Sequence, residues 1–254
     1  HTDENFVISN LNDLGFAKKL ASMADIYINN AFGTCHRAHA STNSIIKFSK
    51  NYCIGDLVND ELNNINKVLF DENKPFTAIL GGAKVSDKIN VIEKLIDLVD
   101  NIIIGGAMAN TFIKSKGGKI GKSLFEEDNL SVANSLIKKA EKQNVKIYLP
   151  EDLICSKSID DFNTKTFNSY DLENEYSGFD IGYKSINTFK EVIKKSKKII
   201  WNGPMGVFEI DAFSKGTFEI CNSITEATKK GAFSLVGGGD SVSAVKKKNQ
   251  ENNI

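Results

Sequence analysis

The sequence FTAILGGAKVSDK at residues 76–88 joins a continuous apolar run to a glycine-rich turn that carries two lysines. Similar glycine-containing turns follow apolar runs in WNGPMGVFE at residues 201–209 and in GGGDS at residues 237–241. In an open parallel sheet, ligands bind beyond the carboxyl ends of the strands, where glycine backbone and the N–H groups of the next helix can approach phosphate. These three turns therefore predict phosphate chemistry.

Short apolar runs alternate with longer amphipathic segments along the chain. The predicted strands are Asp25–Asn29, Phe76–Leu80, Asn101–Ile104, Val145–Leu149, Lys198–Trp201 and Ala232–Val236. The predicted helices are Leu14–Met23, Asp56–Phe70, Asp87–Val99, Met108–Lys116, Glu126–Lys142, Ser185–Lys195 and Thr217–Lys229. This alternation predicts an α/β fold with a three-layer, doubly wound parallel sheet. The polar segment Ser156–Tyr176 predicts an irregular excursion or a hairpin.

The segment Asp56–Phe70 predicts a helix that joins two lobes. It follows a single predicted strand and precedes five others, and its apolar stripe lies on an otherwise Asn-rich and acidic surface. We therefore predict that residues 1–55 belong to a first lobe, that residues 56–70 form an interlobe helix, and that residues 71–254 form a second lobe.

The composition excludes several classes of protein. Lys and Arg total 32, as do Asp and Glu, so no net field favours nucleic acid or an anionic membrane as a partner. The four cysteines are far apart in sequence, which suggests neither a zinc site nor a disulfide framework. The apolar runs are too short to cross a bilayer. We expect a cytoplasmic protein that acts on small molecules.

Lys84 and Lys88 are four residues apart in the turn after the strand Phe76–Leu80. If the following helix begins near Lys84, both ammonium groups emerge on one face near its positive end, which suits a polyphosphate. The alternative is a solvated lysine pair on an exposed first turn. The adjoining glycines favour phosphate binding.

The turn Gly237–Ser241 precedes a second predicted helix start. Free backbone N–H groups there can hold phosphate oxygens, and Asp240 can carry a magnesium ion that bridges those oxygens. The alternative is an ordinary turn in which the aspartate caps the helix. Three successive glycines exceed what a cap requires.

Two further segments suggest binding sites. In WNGPMGVFE, Glu209 can accept the hydroxyl protons of a ribose, although an exposed glutamate often only adds solubility. In the segment NAFGTCHRAH at residues 30–39, Arg37 can form a bidentate fork with a carboxylate or phosphate beside His36. The competing interpretation is a metal site formed by His36 and His39.

Taken in order, these segments resemble those of phosphoglycerate kinases. The resemblance includes ADIYIN at residues 24–29, AFGT at 31–34, HRAH at 36–39, residues 81–88, Gly105-Gly106, IGKSL at 120–124, residues 201–209 and residues 237–241. It implies a two-lobed, monomeric glycolytic enzyme. Such an enzyme transfers the acyl phosphate of 1,3-bisphosphoglycerate to ADP, reversibly, giving 3-phosphoglycerate and ATP. Its C-terminal lobe binds the magnesium nucleotide, and its N-terminal lobe binds phosphoglycerate.

The resemblance also implies a role for each matching residue. Lys84 and Lys88 are implied to be catalytic, Asp240 to hold Mg²⁺, and His36 and Arg37 to bind phosphoglycerate. The residues implied to bind ADP or ATP are Gly82, Lys88, Gly105, Gly106, Leu124, Gly178, Asn202, Pro204, Glu209, Gly238, Gly239, Asp240 and Ser241.

The chain departs from the family pattern in ways that leave alternatives open. Asn30 stands where the family usually has Asp, and Ala107 stands where it has a third glycine. The family's early motifs and its late glycine-rich segment are missing, so the resemblance implies a partial chain that lacks the start of the N-terminal lobe and the C-terminal end. The alternatives are a nucleotide-binding fragment without catalysis, another magnesium-nucleotide enzyme, and a non-catalytic interaction protein.

Overall fold

The computed structural model describes residues 12–70 and 72–254. Residues 1–11, which the sequence assigns to the first lobe, and residue 71 lie outside the described residues. The chain divides into two compact units, His1–Lys67 and Val68–Ile254. The boundary falls within the helix Asp56–Phe70, and the role of that helix between two lobes stays a prediction.

The first unit is built around a pair of parallel strands. Its elements are α1 (Leu14–Ala21), β1 (Ile26–Asn29), β2 (Asn51–Ile54) and most of α2 (Asp56–Phe70), with 3₁₀ turns at Phe32–Thr34 and Ser44–Lys47. The sequence missed β2, so the prediction that α2 follows a single strand was wrong: β2 ends just before α2 and pairs with β1. The run NYCI is short and lies between polar residues, which left little signal for a strand.

The second unit alternates strands and helices. Its elements are β3 (Phe76–Leu80), α3 (Ile89–Ile96), β4 (Asn101–Ile104), α4 (Met108–Ser115), β5 (Lys119–Ile120), α5 (Leu130–Lys142), β6 (Lys146–Tyr148), β7 (Asp152–Ser156), β8 (Lys165–Asn168), β9 (Asp171–Leu172), β10 (Ser177–Ile181), α6 (Tyr183–Lys195), β11 (Lys198–Asn202), α7 (Lys215–Lys229), β12 (Phe233–Gly237) and α8 (Gly239–Lys247). All six predicted strands and all seven predicted helices are present, with ends shifted by a few residues. The spacing of apolar residues therefore predicted the position of each helix to within a few residues.

Five of these strands form one parallel sheet in the order β12-β11-β3-β4-β6. Successive residues of the central strands point to opposite faces of the sheet. Ile79 and Ile103 pack on one face against α6 and α7, whereas Ala78 and Ile102 pack on the other face against α3, α4 and α5. The predicted three-layer, doubly wound parallel sheet is therefore confirmed.

Three of the strands after β6 in sequence form a smaller antiparallel sheet. Its order is β10-β7-β8, and β7 and β8 form a hairpin. Strand β8 lies within Ser156–Tyr176, the segment predicted as an irregular excursion or a hairpin, whereas β7 begins before it at Asp152. Strand β9, between β8 and β10 in sequence, pairs in parallel with β5, which precedes α5. Within the described residues, no helix is long and apolar enough to span a membrane.

Candidate functional site

The three glycine-rich turns lie side by side at the carboxyl end of the parallel sheet. Strand β11 pairs with both β3 and β12, and Asn202 at its end is opposite Leu80 on one side and Gly237 on the other. Two backbone hydrogen bonds join the turns: Gly81 N–H donates to Asn202 O at 3.1 Å, and Gly82 N–H donates to Pro204 O at 3.1 Å. The register of the sheet thus unites segments that are far apart in sequence.

Glycine is required where these backbones touch. A Cβ on Gly81 would overlap the carbonyl oxygen of Pro204, so no side chain fits there. Gly106 has φ +65, and a Cβ on it would lie 2.5 Å from the carbonyl oxygen of Gly82. The turns therefore pack backbone against backbone at these glycines.

A cavity of about 320 Å³ opens between the turns. Its lining combines lysines and carboxylates with glycine backbone: Gly81, Gly82, Ala83, Lys84, Asp87, Lys88, Asn202, Gly203, Pro204, Gly238, Gly239, Asp240 and Ser241. Helix α8 begins at Gly239, and the first backbone N–H groups of a helix have no partner within it. Gly238 has φ +87 at the N-cap, so Asp240 is not the capping residue. The cavity suits an anion with several oxygens.

Lys88 spans two of the turns. Its Nζ donates hydrogen bonds to Gly81 O at 2.7 Å, to Asn202 O at 2.6 Å and to Asn202 Oδ1 at 2.9 Å. Desolvation lowers the pKa of Lys88 to about 8, although the carboxylates of Asp240 and Asp87 act in the opposite direction. The ammonium group therefore titrates close to physiological pH.

Lys84 and Lys88 do not share a helix, so the condition for both ammonium groups to emerge on one helical face is not met. Helix α3 begins at Ile89, so Lys88 is at the N-cap and Lys84 lies in the preceding turn. The helix begins two residues later than predicted, and Ser86, in the turn before it, bonds to Glu126, a distant side chain. Both lysines still line the cavity.

Ser241 has a structural role through its side chain. The hydroxyl group is completely buried, and its oxygen accepts a hydrogen bond from Gly203 N–H at 2.6 Å. That bond holds the turn after β11 against the start of α8. Ser241 also lies in the first turn of α8 and lines the cavity.

A second cavity of about 430 Å³ adjoins the first. Seven of its lining residues are among those that the resemblance implies bind ADP or ATP: Gly82, Gly106, Leu124, Gly178, Pro204, Glu209 and Asp240. Gly82, Ala83, Pro204 and Asp240 line both cavities. Gly105 is not among the lining residues, because it is buried and a Cβ on it would overlap Met205. Gly105 therefore supports the wall without facing the cavity.

The sequence missed several residues that line this cavity, notably Asn110, Phe179, Asp180 and Val207. Asp180 is a buried carboxylate in β10 that accepts hydrogen bonds from Gly216 N–H at 2.7 Å and from Ile181 N–H at 2.9 Å. Burial raises the pKa of Asp180 to about 7, although the two backbone bonds oppose this shift. Nothing in the local sequence distinguishes this aspartate from a surface one.

His36 and Arg37 lie in the first unit. Both side chains are exposed, and Arg37 Nε donates a hydrogen bond to His36 Nε2 at 3.3 Å. Their binding of phosphoglycerate stays a prediction. Among the residues that the structure describes, no three His, Cys, Asp or Glu side chains are grouped so that they could hold a metal ion.

Comparisons with known proteins agree with this geometry. The family model for phosphoglycerate kinase matches residues 1–254. The chain is 53% identical over 244 residues to the phosphoglycerate kinase of Finegoldia magna, covering 96% of this chain and 61% of that protein. It is 48% identical over 237 residues to a cytosolic phosphoglycerate kinase of Arabidopsis thaliana, covering 93% of this chain and 59% of that protein.

The fold matches a solved structure in the same way. The phosphoglycerate kinase of Coxiella burnetii superposes with a TM-score of 0.88 at 38% identity, covering 97% of this chain and 64% of that one. The chain thus spans about three fifths of the length of the curated relatives it matches. With a family model along its whole length and relatives near half identity, the chain belongs to the phosphoglycerate kinase family.

Proposed function

We propose that this chain binds a magnesium nucleotide through its second unit, as part of a phosphoglycerate kinase. The proposal rests on the pair of adjoining cavities at the carboxyl ends of the parallel strands. One has glycine backbone and apolar walls that suit a base and a ribose, and the other has lysines and helix N–H groups that suit phosphates. A nucleoside diphosphate has the same two-part chemistry.

The reaction proposed for the whole protein is phosphoryl transfer between an acyl phosphate and ADP. An oxygen of the β-phosphate of ADP attacks the acyl phosphate phosphorus of 1,3-bisphosphoglycerate. A new P–O bond gives ATP, and the old one breaks to release the carboxylate of 3-phosphoglycerate. The transition state spreads negative charge over the equatorial oxygens, so catalysis rests on positioning and on charge neutralisation.

Within this scheme Lys84 neutralises the phosphoryl group in transfer. Its side chain is exposed in the turn that lines the cavity, so it can reach a ligand without breaking existing contacts. Lys88 bonds to three protein oxygens and holds the two turns together. We assign Lys88 to the nucleotide phosphates and Lys84 to the reacting group.

The donor set fits magnesium. Asp240 is an exposed carboxylate in the first turn of α8 and lines both cavities. Mg²⁺ is commonly held by one or two carboxylates together with phosphate oxygens and water, so a single aspartate beside a nucleotide is sufficient. When bound, the ion would neutralise charge on the nucleotide phosphates. Asp240 would hold it.

The remaining assignments follow the same proposal. We call the cavity of about 430 Å³, proposed to hold the base and the ribose, the adenosine cavity. Glu209 is exposed there and can accept hydrogen bonds from both ribose hydroxyls. Arg37 and His36 bind the phosphoglycerate, for which the planar guanidinium group offers two parallel donors. We further propose a monomer in the cytoplasm, in line with the relative named as cytosolic, although other relatives are named as chloroplastic.

A coupled assay on the complete gene product tests the proposed reaction. We expect magnesium-dependent formation of ATP from ADP and 1,3-bisphosphoglycerate. Lys84→Ala and Arg37→Ala should each reduce this activity at least about ten-fold, whereas Lys142→Ala, at an exposed position in α5, should not. An active enzyme that tolerates Arg37→Ala would instead favour a different nucleotide-dependent reaction. No ATP formation would contradict the proposal.

A further inference from the structure

Glu126 binds the turn that carries Lys84. Its Oε1 accepts a hydrogen bond from Ser86 Oγ at 2.6 Å, and its Oε2 accepts one from Ser86 N–H at 3.0 Å. Ser86 is two residues after Lys84 in the turn between β3 and α3. One carboxylate thus holds both the side chain and the backbone of the turn, from a position 40 residues further along the chain.

Glu126 is itself held by helix α4. Its backbone N–H donates to Thr111 Oγ1 at 3.1 Å, and Thr111 is completely buried. Two residues earlier, Leu124 O accepts a hydrogen bond from Asn110 Nδ2 at 3.0 Å. Both Asn110 and Leu124 line the adenosine cavity. The segment Leu124–Glu126 therefore runs from the wall of the adenosine cavity to the turn that carries Lys84. Hydrogen bonds with two residues of α4 hold it at both ends.

The turn around Lys84 precedes the start of α3 at Ile89, so the hydrogen bonds of that helix do not fix its shape. Within the turn, Lys88 N–H donates to Val85 O at 2.8 Å. Desolvation opposes ionisation of Glu126, but the bonds from Ser86, the N–H of Val85 and the charge of Lys84 together lower the pKa of this carboxyl. It is therefore a carboxylate at neutral pH, and it makes charge-assisted hydrogen bonds.

We propose that Glu126 is a positioning residue for phosphate binding. Its two hydrogen bonds to Ser86 fix the turn so that the Lys84 ammonium group faces the phosphates of a nucleotide whose base lies beside Leu124. This inference rests on the proposed nucleotide site and adds a residue outside the cavity linings to it. Glu126 touches no ligand, and it acts through Ser86.

A simple Coulomb effect predicts the opposite result, which makes the inference testable. Glu126 carries a negative charge close to Lys84, so its removal should strengthen the attraction of the site for an anion if charge alone mattered. If Glu126 positions the turn, its removal should weaken the binding of phosphates. Adenosine has no phosphates, so its affinity should not change on either view.

The test is a calorimetric titration of the 254-residue chain with Mg²⁺-ADP and, separately, with adenosine. We expect Glu126→Ala to weaken ADP binding about ten-fold or more, as the loss of charge-assisted hydrogen bonds does, and to leave adenosine binding unchanged. Glu127→Ala is the matched control, because Glu127 is the adjacent, exposed residue with the same charge, whereas both bonds to Ser86 come from Glu126. It should retain native affinity for both ligands.

A second variant guards against misfolding of the first. Ser86→Ala removes one of the two bonds at an exposed position, so a smaller loss of ADP affinity is expected, and none beyond Glu126→Ala when the two changes are combined. Unchanged or tighter ADP binding by both variants would overturn the inference, as would equal losses for ADP and adenosine. If the native chain binds neither ligand, the proposed nucleotide site itself is wrong.

Discussion

Lys88 and Asn202, which are 114 residues apart, are joined by two hydrogen bonds from a single ammonium group, at 2.6 Å to the backbone carbonyl and at 2.9 Å to Oδ1 of the side chain. A third bond, to Gly81 O, closes the arrangement at 2.7 Å. This contact links the ends of strands β3 and β11 at the edge of the cavity where phosphates are proposed to bind. Lys88 therefore joins the two turns through its hydrogen bonds and also carries a titratable charge beside the cavity.

Nucleotide affinity should depend on the protonation of Lys88. Because its pKa is lowered to about 8, the ammonium form is lost as the pH rises through that value. We expect the Kd for ADP to increase above about pH 8, by up to about ten-fold per pH unit, while the Kd for adenosine stays constant. Titrations across this range check it, and Lys88→Met should remove the pH dependence. A constant ADP affinity up to about pH 9.5 would contradict this role.

The buried carboxyl of Asp180 should make stability depend on pH. Its pKa is raised to about 7, so the unfolded state loses this proton at lower pH than the folded state does. The free energy of unfolding of the native chain, relative to Asp180→Asn, should therefore fall between about pH 4 and pH 7, by at most about 4 kcal/mol. Urea unfolding at several pH values measures this difference. The exposed Asp128→Asn should show no such trend, and a pH-independent difference for Asp180→Asn would refute the argument.

Gly81 should not tolerate a side chain. A Cβ there would overlap the carbonyl oxygen of Pro204, and backbone cannot move aside as a flexible side chain can. We expect Gly81→Ala to lower the free energy of unfolding by roughly 1–3 kcal/mol and to weaken nucleotide binding. Gly33→Ala is the control, since a Cβ on Gly33 meets nothing within 4 Å. Equal stability of the two variants in thermal unfolding would show that the turns are less closely packed than described.

Glu209 should discriminate ribose. Its exposed carboxylate lines the adenosine cavity, where it can accept hydrogen bonds from the two hydroxyl groups. Glu209→Ala should weaken ADP binding about ten-fold and should change the affinity for 2′,3′-dideoxy-ADP little. Glu226→Ala, in α7, serves as a control of equal charge. Equal losses for both nucleotides would indicate that Glu209 does not contact the ribose.

The parallel sheet and its phosphate turns could be predicted because their signals are local. Strand β3 is a continuous apolar run that is buried along its whole length, and the glycines after it mark where backbone must approach backbone. Helical spacing likewise predicted α2 at its observed bounds. These features depend on residues near one another in sequence.

The rest could not be predicted because it depends on contacts between distant residues. Asn202 accepts the bonds of Lys88, Glu126 holds Ser86, and Asp180 is buried by elements on several sides. The start of α3 was predicted two residues early, at Asp87, and Ser86 just before it bonds to Glu126, which is 40 residues away in sequence. A single sequence contains no local sign of these partners.

Calorimetric titration of the 254-residue chain with ADP, with and without Mg²⁺, beside the Lys84→Ala, Asp240→Ala double variant measures nucleotide binding at the second unit. The nucleotide site described above predicts saturable binding that magnesium strengthens and that the double variant loses. Thermal unfolding of both proteins should remain cooperative, because these two side chains are exposed. A folded chain that binds no ADP, or a double variant that binds it as tightly as the native chain, would contradict the account.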